Sequence, residues 1–241
     1  FWLEFDIRNH FKLGPVKYHN VVASIKGTKY PDEYVIISGH LDSYDVATGG
    51  IDCGTGIGPM MEAARMIALS GAKPKRTILF VAFAGEEFGL LGAKSYVKTH
   101  AKELGKIANL FNRDGGPTPP VGISVPQAMY DDFVEVCKPV KEIRADYPFE
   151  VKVAKPFKRP TQSGGTDASV FAVEGVPTFG FNTQDIKGYN FSYGEIWHTE
   201  RDLYTKNIPE YQEHAATVTA VVALGIANLS KQLSREGMHK K

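Results

Sequence analysis

Short apolar segments rich in β-branched residues alternate along the chain with longer stretches of helical periodicity. The predicted strands span residues 21–25, 34–38, 77–83, 107–112, 150–154 and 178–181. Segments that are apolar throughout are typical of strands covered on both faces. The pattern therefore predicts an α/β fold built on a parallel or mixed sheet.

Apolar residues at helical spacing predict the covering helices. Ile57, Met60, Met61, Ala64 and Ile67 follow one helical stripe, which Gly71 and Pro74 end. Further helices are expected over residues 90–100, 129–140, 168–174 and 209–233.

Alternation also marks the first residues, where Phe1, Leu3, Phe5 and Ile7 are separated by polar or aromatic neighbours. This pattern predicts a strand from the first position. The start lacks the layout of a signal peptide, and we expect a fragment whose upstream segment is missing.

Composition limits the class of protein. The 241 residues, 43% hydrophobic and 23% charged, suit a single domain over residues 1–241. A formal net charge of +1 gives no general attraction for nucleic acid. No apolar run reaches the roughly 20 residues of a membrane span. The two cysteines form no disulfide framework and indicate no compartment.

Imidazoles and carboxylates follow the predicted strands, where ligand sites of open α/β sheets lie. His40 and Asp42 follow the second strand, Glu86 and Glu87 the third, and Asp114 the fourth. Asp52 precedes the first long helix and His198 lies in a later polar loop.

These residue types suit a metal centre. An acid two residues from His40 can orient the ring as a ligand. Glu86 and Glu87 are adjacent, so their side chains point in different directions, and one can hold a metal while the other accepts a proton. Two histidines, three carboxylates and a free glutamate are the inventory that two zinc ions require.

Each residue also has a simpler interpretation. Asp52 can cap the helix that follows it, and Asp114 can form a turn held by Arg113. The glutamate pair can be a charged surface turn, and a lone histidine such as His198 is more often structural.

Taken together, the motifs resemble the co-catalytic di-zinc exopeptidases, the family of bacterial aminopeptidases, glutamate carboxypeptidases and plasma glutamate carboxypeptidase-like enzymes. The resemblance covers nearly the whole chain and rests on Gly39–Ser43, Asp52, Gly85–Glu87, Asn112–Gly115, Gly164–Asp167 and Trp197–Thr199. It implies a three-layer α/β/α sandwich with a mixed, largely parallel central sheet.

Roles follow from the resemblance position by position. It makes Asp52 a ligand that bridges two Zn²⁺ ions, His40 and Asp114 ligands of one ion, Glu87 and His198 ligands of the other, Glu86 the general base, and Asp42 the support of His40. Nitrogen and oxygen ligands would also accept Co²⁺ or Mn²⁺.

The resemblance also implies a context. The substrate would be a short peptide or dipeptide, and many relatives are periplasmic or secreted. Relatives often carry a protease-associated domain, and we expect this domain to lie outside the given chain. The oligomeric state is not indicated.

Three positions depart from the family pattern or stay open. Cys53 follows Asp52 where many relatives have asparagine, so it is either a packed residue or a thiolate ligand. Trp197 stands where glutamate carboxypeptidases have an oxyanion-binding tyrosine, and indole offers only an N–H donor. Gly165, Thr166 and Asp167 are substrate-binding candidates, although a plain helix start explains them equally well.

The preferred peptide end is open at this level. Arg113, Lys158 or Arg159 could bind a substrate carboxylate, and Asp167 or Glu195 a substrate ammonium. Apolar and aromatic residues in the late loops, namely Phe181, Tyr189, Phe191 and Tyr193, favour an aminopeptidase for apolar residues. The alternatives are a carboxypeptidase of the glutamate type, an acyltransferase like glutaminyl cyclase, and a non-catalytic binding scaffold.

Overall fold

The computed structural model describes residues 1–10 and 14–239. Within them the chain forms seven strands and five α-helices. In chain order these are β1 (Val21–Ile25), β2 (Tyr30–His40), α1 (Gly54–Leu69), β3 (Arg76–Phe83), α2 (Leu91–Thr99), β4 (Ile107–Asn112), β5 (Pro120–Pro126), α3 (Tyr130–Ile143), β6 (Glu150–Ala154), α4 (Asp167–Val173), β7 (Phe181–Thr183) and α5 (Pro209–Asn228).

Hydrogen bonds arrange the strands in two adjoining mixed sheets. The first has the order β1-β3-β2-β4, with β1 antiparallel and the other pairs parallel. The second has the order β6-β5-β7, with β7 antiparallel. A parallel bridge from Leu110 to Thr178 links them.

Helices cover both faces of the first sheet. Val35 and Ile37 belong to a buried cluster with α1 and α5, while Ile36 and Phe83 belong to another with α2 and α4. This alternation is what a strand buried on both faces produces. The predicted three-layer α/β/α fold is confirmed.

Some predicted boundaries are wrong. Residues 1–10 form no strand, and their apolar side chains are exposed, since nothing in the described chain packs against them. Strand β7 begins only at Phe181, and Thr178 makes a single bridge. Helix α5 ends at Asn228, after which the chain folds back to bury Leu233. Strand β5 was not predicted, because prolines bound it at both ends.

The register of the parallel strands determines which residues meet at the candidate site. His40 at the end of β2 pairs with Phe83, and Ser38 pairs with Asn112. The residues that follow β2, β3 and β4 therefore emerge side by side at one edge of the sheet. No helix of the described residues is long and apolar enough to cross a membrane.

Candidate metal centre

His40 lies at the buried centre of the site, with 1% of its surface exposed. Its Nε2 atom is 2.9 Å from Asp52 Oδ1 and 3.3 Å from Asp114 Oδ1. A buried imidazole with two carboxylates at one nitrogen is a typical set of zinc ligands.

A second histidine and acid lie on the other side of Asp52. His198 Nε2 is 2.9 Å from Glu87 Oε2 and 3.9 Å from Asp52 Oδ2. The two oxygens of Asp52 thus face two different imidazoles. The structure brings all five predicted ligand residues together, in the two pairs that the resemblance implies.

Aromatic contacts hold His198 in a backbone conformation unusual for a residue with a side chain. Its φ angle is 58°, and its ring stacks on Tyr44 with centroids 4.1 Å apart. Left-handed non-glycine residues cluster at functional sites, where surrounding contacts hold them.

Asp42 acts differently from the prediction. The carbonyl oxygen of Asp42, at 2.9 Å, is the partner of His40 Nδ1, while the Asp42 carboxylate is 3.8 Å from that nitrogen. That carboxylate accepts the N–H groups of Glu86 and Glu87 at 3.0 and 3.1 Å. Asp42 therefore orients His40 through its backbone and the glutamate turn through its side chain.

Asp202 was not predicted, yet it holds the loop that carries Asp52. Its buried carboxylate accepts the N–H groups of Ile51 and Asp52 at 2.6 and 3.1 Å. The signal in the sequence was an acid four residues after His198, and only the fold shows what it contacts.

Asp202→Asn should weaken zinc binding by about 10- to 100-fold, the usual effect of losing a group that supports the ligands. Asparagine keeps one acceptor oxygen but presents an NH₂ group to the second N–H of the loop. Competition with a chelator measures the affinity, and Asp131→Asn, at an exposed acid, is the control. Equal affinities in wild type and Asp202→Asn would contradict this support role.

The site is crowded with negative charge. Burial and the charge of Asp114 raise the pKa of Glu86 to about 8, and burial and the charge of Asp52 raise the pKa of Glu87. Burial opposes a charged His40, but hydrogen bonds to Asp114 and Asp52 outweigh it and raise its pKa. Burial and the mutual repulsion of clustered carboxylates account for the raised pKa values of the two glutamates.

The donor set fits metal ions. Ligand atoms of His40, Asp52 and Glu87 lie within 4.8 Å of one another. Glu87 Oε1 is buried and has no hydrogen-bond partner among the described residues. A cation would satisfy this oxygen and the surrounding charge together.

Cys53 is packed against the same centre. Its Sγ donates to the Arg113 carbonyl at 3.0 Å, and burial raises the pKa of the thiol. Its sulfur also falls within 4.8 Å of the ligand atoms of His40 and Asp114. The hydrogen bond and the raised pKa favour the packed thiol over a thiolate ligand.

A cleft of about 670 Å³ opens above the centre. Glu86, Gly165, Thr166 and Trp197 line it. Asp167 has no exposed surface, and both of its oxygens lack partners among the described residues. Asp167 is not among the residues that line the cleft, and its role as a substrate contact stays a prediction.

Tyr193 also lines the cleft, and its hydroxyl interacts with the Asp52 carboxylate. Burial and the charge of Asp52 raise the pKa of this hydroxyl, so it stays a donor. The sequence had suggested Tyr193 only as part of an apolar pocket.

Known proteins share this sequence and fold. Residues 20–222 match the model of peptidase family M28. Carboxypeptidase Q of Rattus norvegicus is 32% identical over 231 residues, or 94% of this chain and 46% of the relative. The chain thus spans about half the length of the curated relatives that it matches.

Two solved structures are similar to this chain in fold. The peptidase M28 precursor of Shewanella amazonensis superposes with a TM-score of 0.74 and 33% identity, over 89% of this chain and 46% of that one. A zinc aminopeptidase of Bacillus subtilis, 21% identical, superposes with a TM-score of 0.65 over 92% and 53%. The second likeness concerns the fold alone.

The family match over residues 20–222 and the similarity to Carboxypeptidase Q define the class of this protein. The chain belongs to peptidase family M28.

Proposed function

We propose that this domain is a di-zinc exopeptidase that removes N-terminal residues or cleaves dipeptides. The observation that carries the proposal is the position of Asp52, whose Oδ1 is 2.9 Å from His40 and whose Oδ2 is 3.9 Å from His198. A carboxylate between two such pairs can bridge two ions, His40 and Asp114 completing one site and Glu87 and His198 the other.

Zinc ions, when bound, lower the pKa of water from 15.7 towards about 7 and polarise a scissile carbonyl. Glu86 is the acid of the site that is free for proton transfer. It lines the cleft and lies outside the two proposed ligand pairs, so its carboxylate is free to exchange a proton with water. It accepts the proton of the attacking water and passes it to the leaving amine.

Tyr193 has the hydroxyl group that Trp197 lacks. Tyr193 and Asp52 both line the cleft. In a peptide complex this hydroxyl donates to the oxygen of the tetrahedral intermediate, where charge develops.

Leu90 and Trp197 in the cleft lining support an N-terminal residue with an apolar side chain. A carboxypeptidase is the second candidate, because Carboxypeptidase Q is the name of the curated relatives that match over most of the chain. The presence of two complete pairs of ligand residues disfavours an acyltransferase with a single zinc ion and a binding scaffold without metal. A periplasmic or secreted location and a single domain over residues 1–241 stay predictions.

Elemental analysis combined with peptide hydrolysis tests the proposal. We expect about two zinc ions per chain and cleavage of leucyl dipeptides that stops on chelation and returns with zinc. The rates of cleavage of leucyl and glutamyl dipeptides, measured side by side, show which substrate class is preferred. One ion or none, without cleavage, would favour the acyltransferase or the scaffold.

A further inference from the structure

A second cavity of about 350 Å³ adjoins the cleft. Asn112, Asp114 and Tyr193 line both cavities, so the second one is a side pocket of the same site. Its remaining walls include Met60, Phe111 and Phe181. The pocket therefore pairs an apolar interior with direct access to the metal centre.

Arg113 also lines the side pocket. Its one side-chain hydrogen bond among the described residues runs from Nη2 to the Thr118 carbonyl at 3.0 Å. The Nε atom is buried without a partner. No carboxylate of the described chain lies within ion-pair distance of this guanidinium, whereas Arg65 and Arg76 are both paired.

An enclosed cation without a counter-charge is costly, and an anion that enters the pocket removes the cost. The guanidinium fork matches the two oxygens of a carboxylate, and the surrounding apolar walls strengthen such a pair. Asp114 repels a free anion, but this acid is the proposed ligand of a divalent ion.

We propose that Arg113 binds a carboxylate group of the peptide substrate in this side pocket and thereby sets substrate specificity. The inference rests on the proposed exopeptidase function. The carboxylate is either the C-terminal carboxylate of a dipeptide or the side chain of an aspartyl or glutamyl residue.

Four substrates separate these sources, with kcat/KM measured on the zinc-loaded protein. Leu-Leu carries a terminal carboxylate, Leu-Leu-amide carries none, and Glu-Leu-amide and Leu-Glu-amide carry a side-chain carboxylate on either side of the scissile bond. Arg113→Met should lower kcat/KM for the recognised carboxylate substrate by about 10- to 100-fold relative to Leu-Leu-amide. Arg113→Lys, which keeps the charge without the fork, should lose less.

Two controls address other cations. Arg65→Met removes an exposed arginine and should leave the preference unchanged. Lys94, an exposed residue, also lines the cleft. If Lys94→Met rather than Arg113→Met removed the preference, the assignment to Arg113 would be overturned, as it would be by an equal effect of Arg113→Met on all four substrates.

Binding of succinate separates this inference from the peptidase proposal. Calorimetry on the protein as purified should show an affinity that falls in Arg113→Met, while any succinate bound by zinc alone persists. Arg113-dependent binding without peptide cleavage would overturn the proposed function and support the carboxylate pocket. Cleavage with succinate binding unaffected by Arg113→Met would overturn the pocket alone.

Discussion

Glu86→Gln should lower kcat for dipeptide hydrolysis by about 10²- to 10⁴-fold while leaving the zinc content unchanged. Glutamine has nearly the same shape but cannot accept a proton from water. The geometry allows this separation, because Glu87 rather than Glu86 contacts His198, at 2.9 Å. Glu86→Gln therefore tests the chemistry without removing a proposed ligand.

The backbone of the glutamate turn should survive the substitution, since the Asp42 carboxylate accepts the N–H of residue 86 and not its side chain. Glu142→Gln, at an exposed position, is the matched control and should keep full activity. Turnover near the wild-type level in Glu86→Gln would assign the proton transfer to another group.

The sequence predicted the fold through its longest and most apolar elements. Strand β4 has the predicted limits, because most of its residues are apolar and the charged residues Lys106 and Arg113 flank it. The sequence predicted the second sheet less completely, since prolines bound β5 and since β7 has only three residues. Its pairing depends on contacts between distant parts of the chain, which local periodicity does not encode.

The residues of the candidate site also differ in whether the sequence alone could predict them. His40, Glu87 and Asp114 are predictable because an imidazole or carboxylate at the end of a buried strand is unusual, and the parallel strands then bring them together. Asp52 and His198 do not follow a strand directly, and only the resemblance to a known family indicated their roles. Asp202, Tyr193 and the unpaired guanidinium of Arg113 carry no such signal. Their roles come from what the fold places beside them, namely two backbone N–H groups, the Asp52 carboxylate and a cavity.

Asp52 is the residue whose loss should affect both of the proposed metal sites. Asp52→Ala should remove both zinc ions and abolish hydrolysis, whereas His198→Ala should remove mainly the ion that it shares with Glu87. The reason is that Asp52 offers one oxygen to each pair, and hydrogen bonding to His40 lowers its pKa although burial opposes this. The carboxylate is therefore ionised and ready to bind at neutral pH.

Elemental analysis and zinc titration of both variants decide the point, with Asp32→Ala, at an exposed acid, as the control. The loop should keep its place in Asp52→Ala, because Asp202 holds its backbone N–H groups and not the side chain. Lost zinc would then reflect the missing carboxylate and not an unfolded loop. Retention of two tightly bound ions would refute the bridging role, and retention of one would limit Asp52 to a single pair.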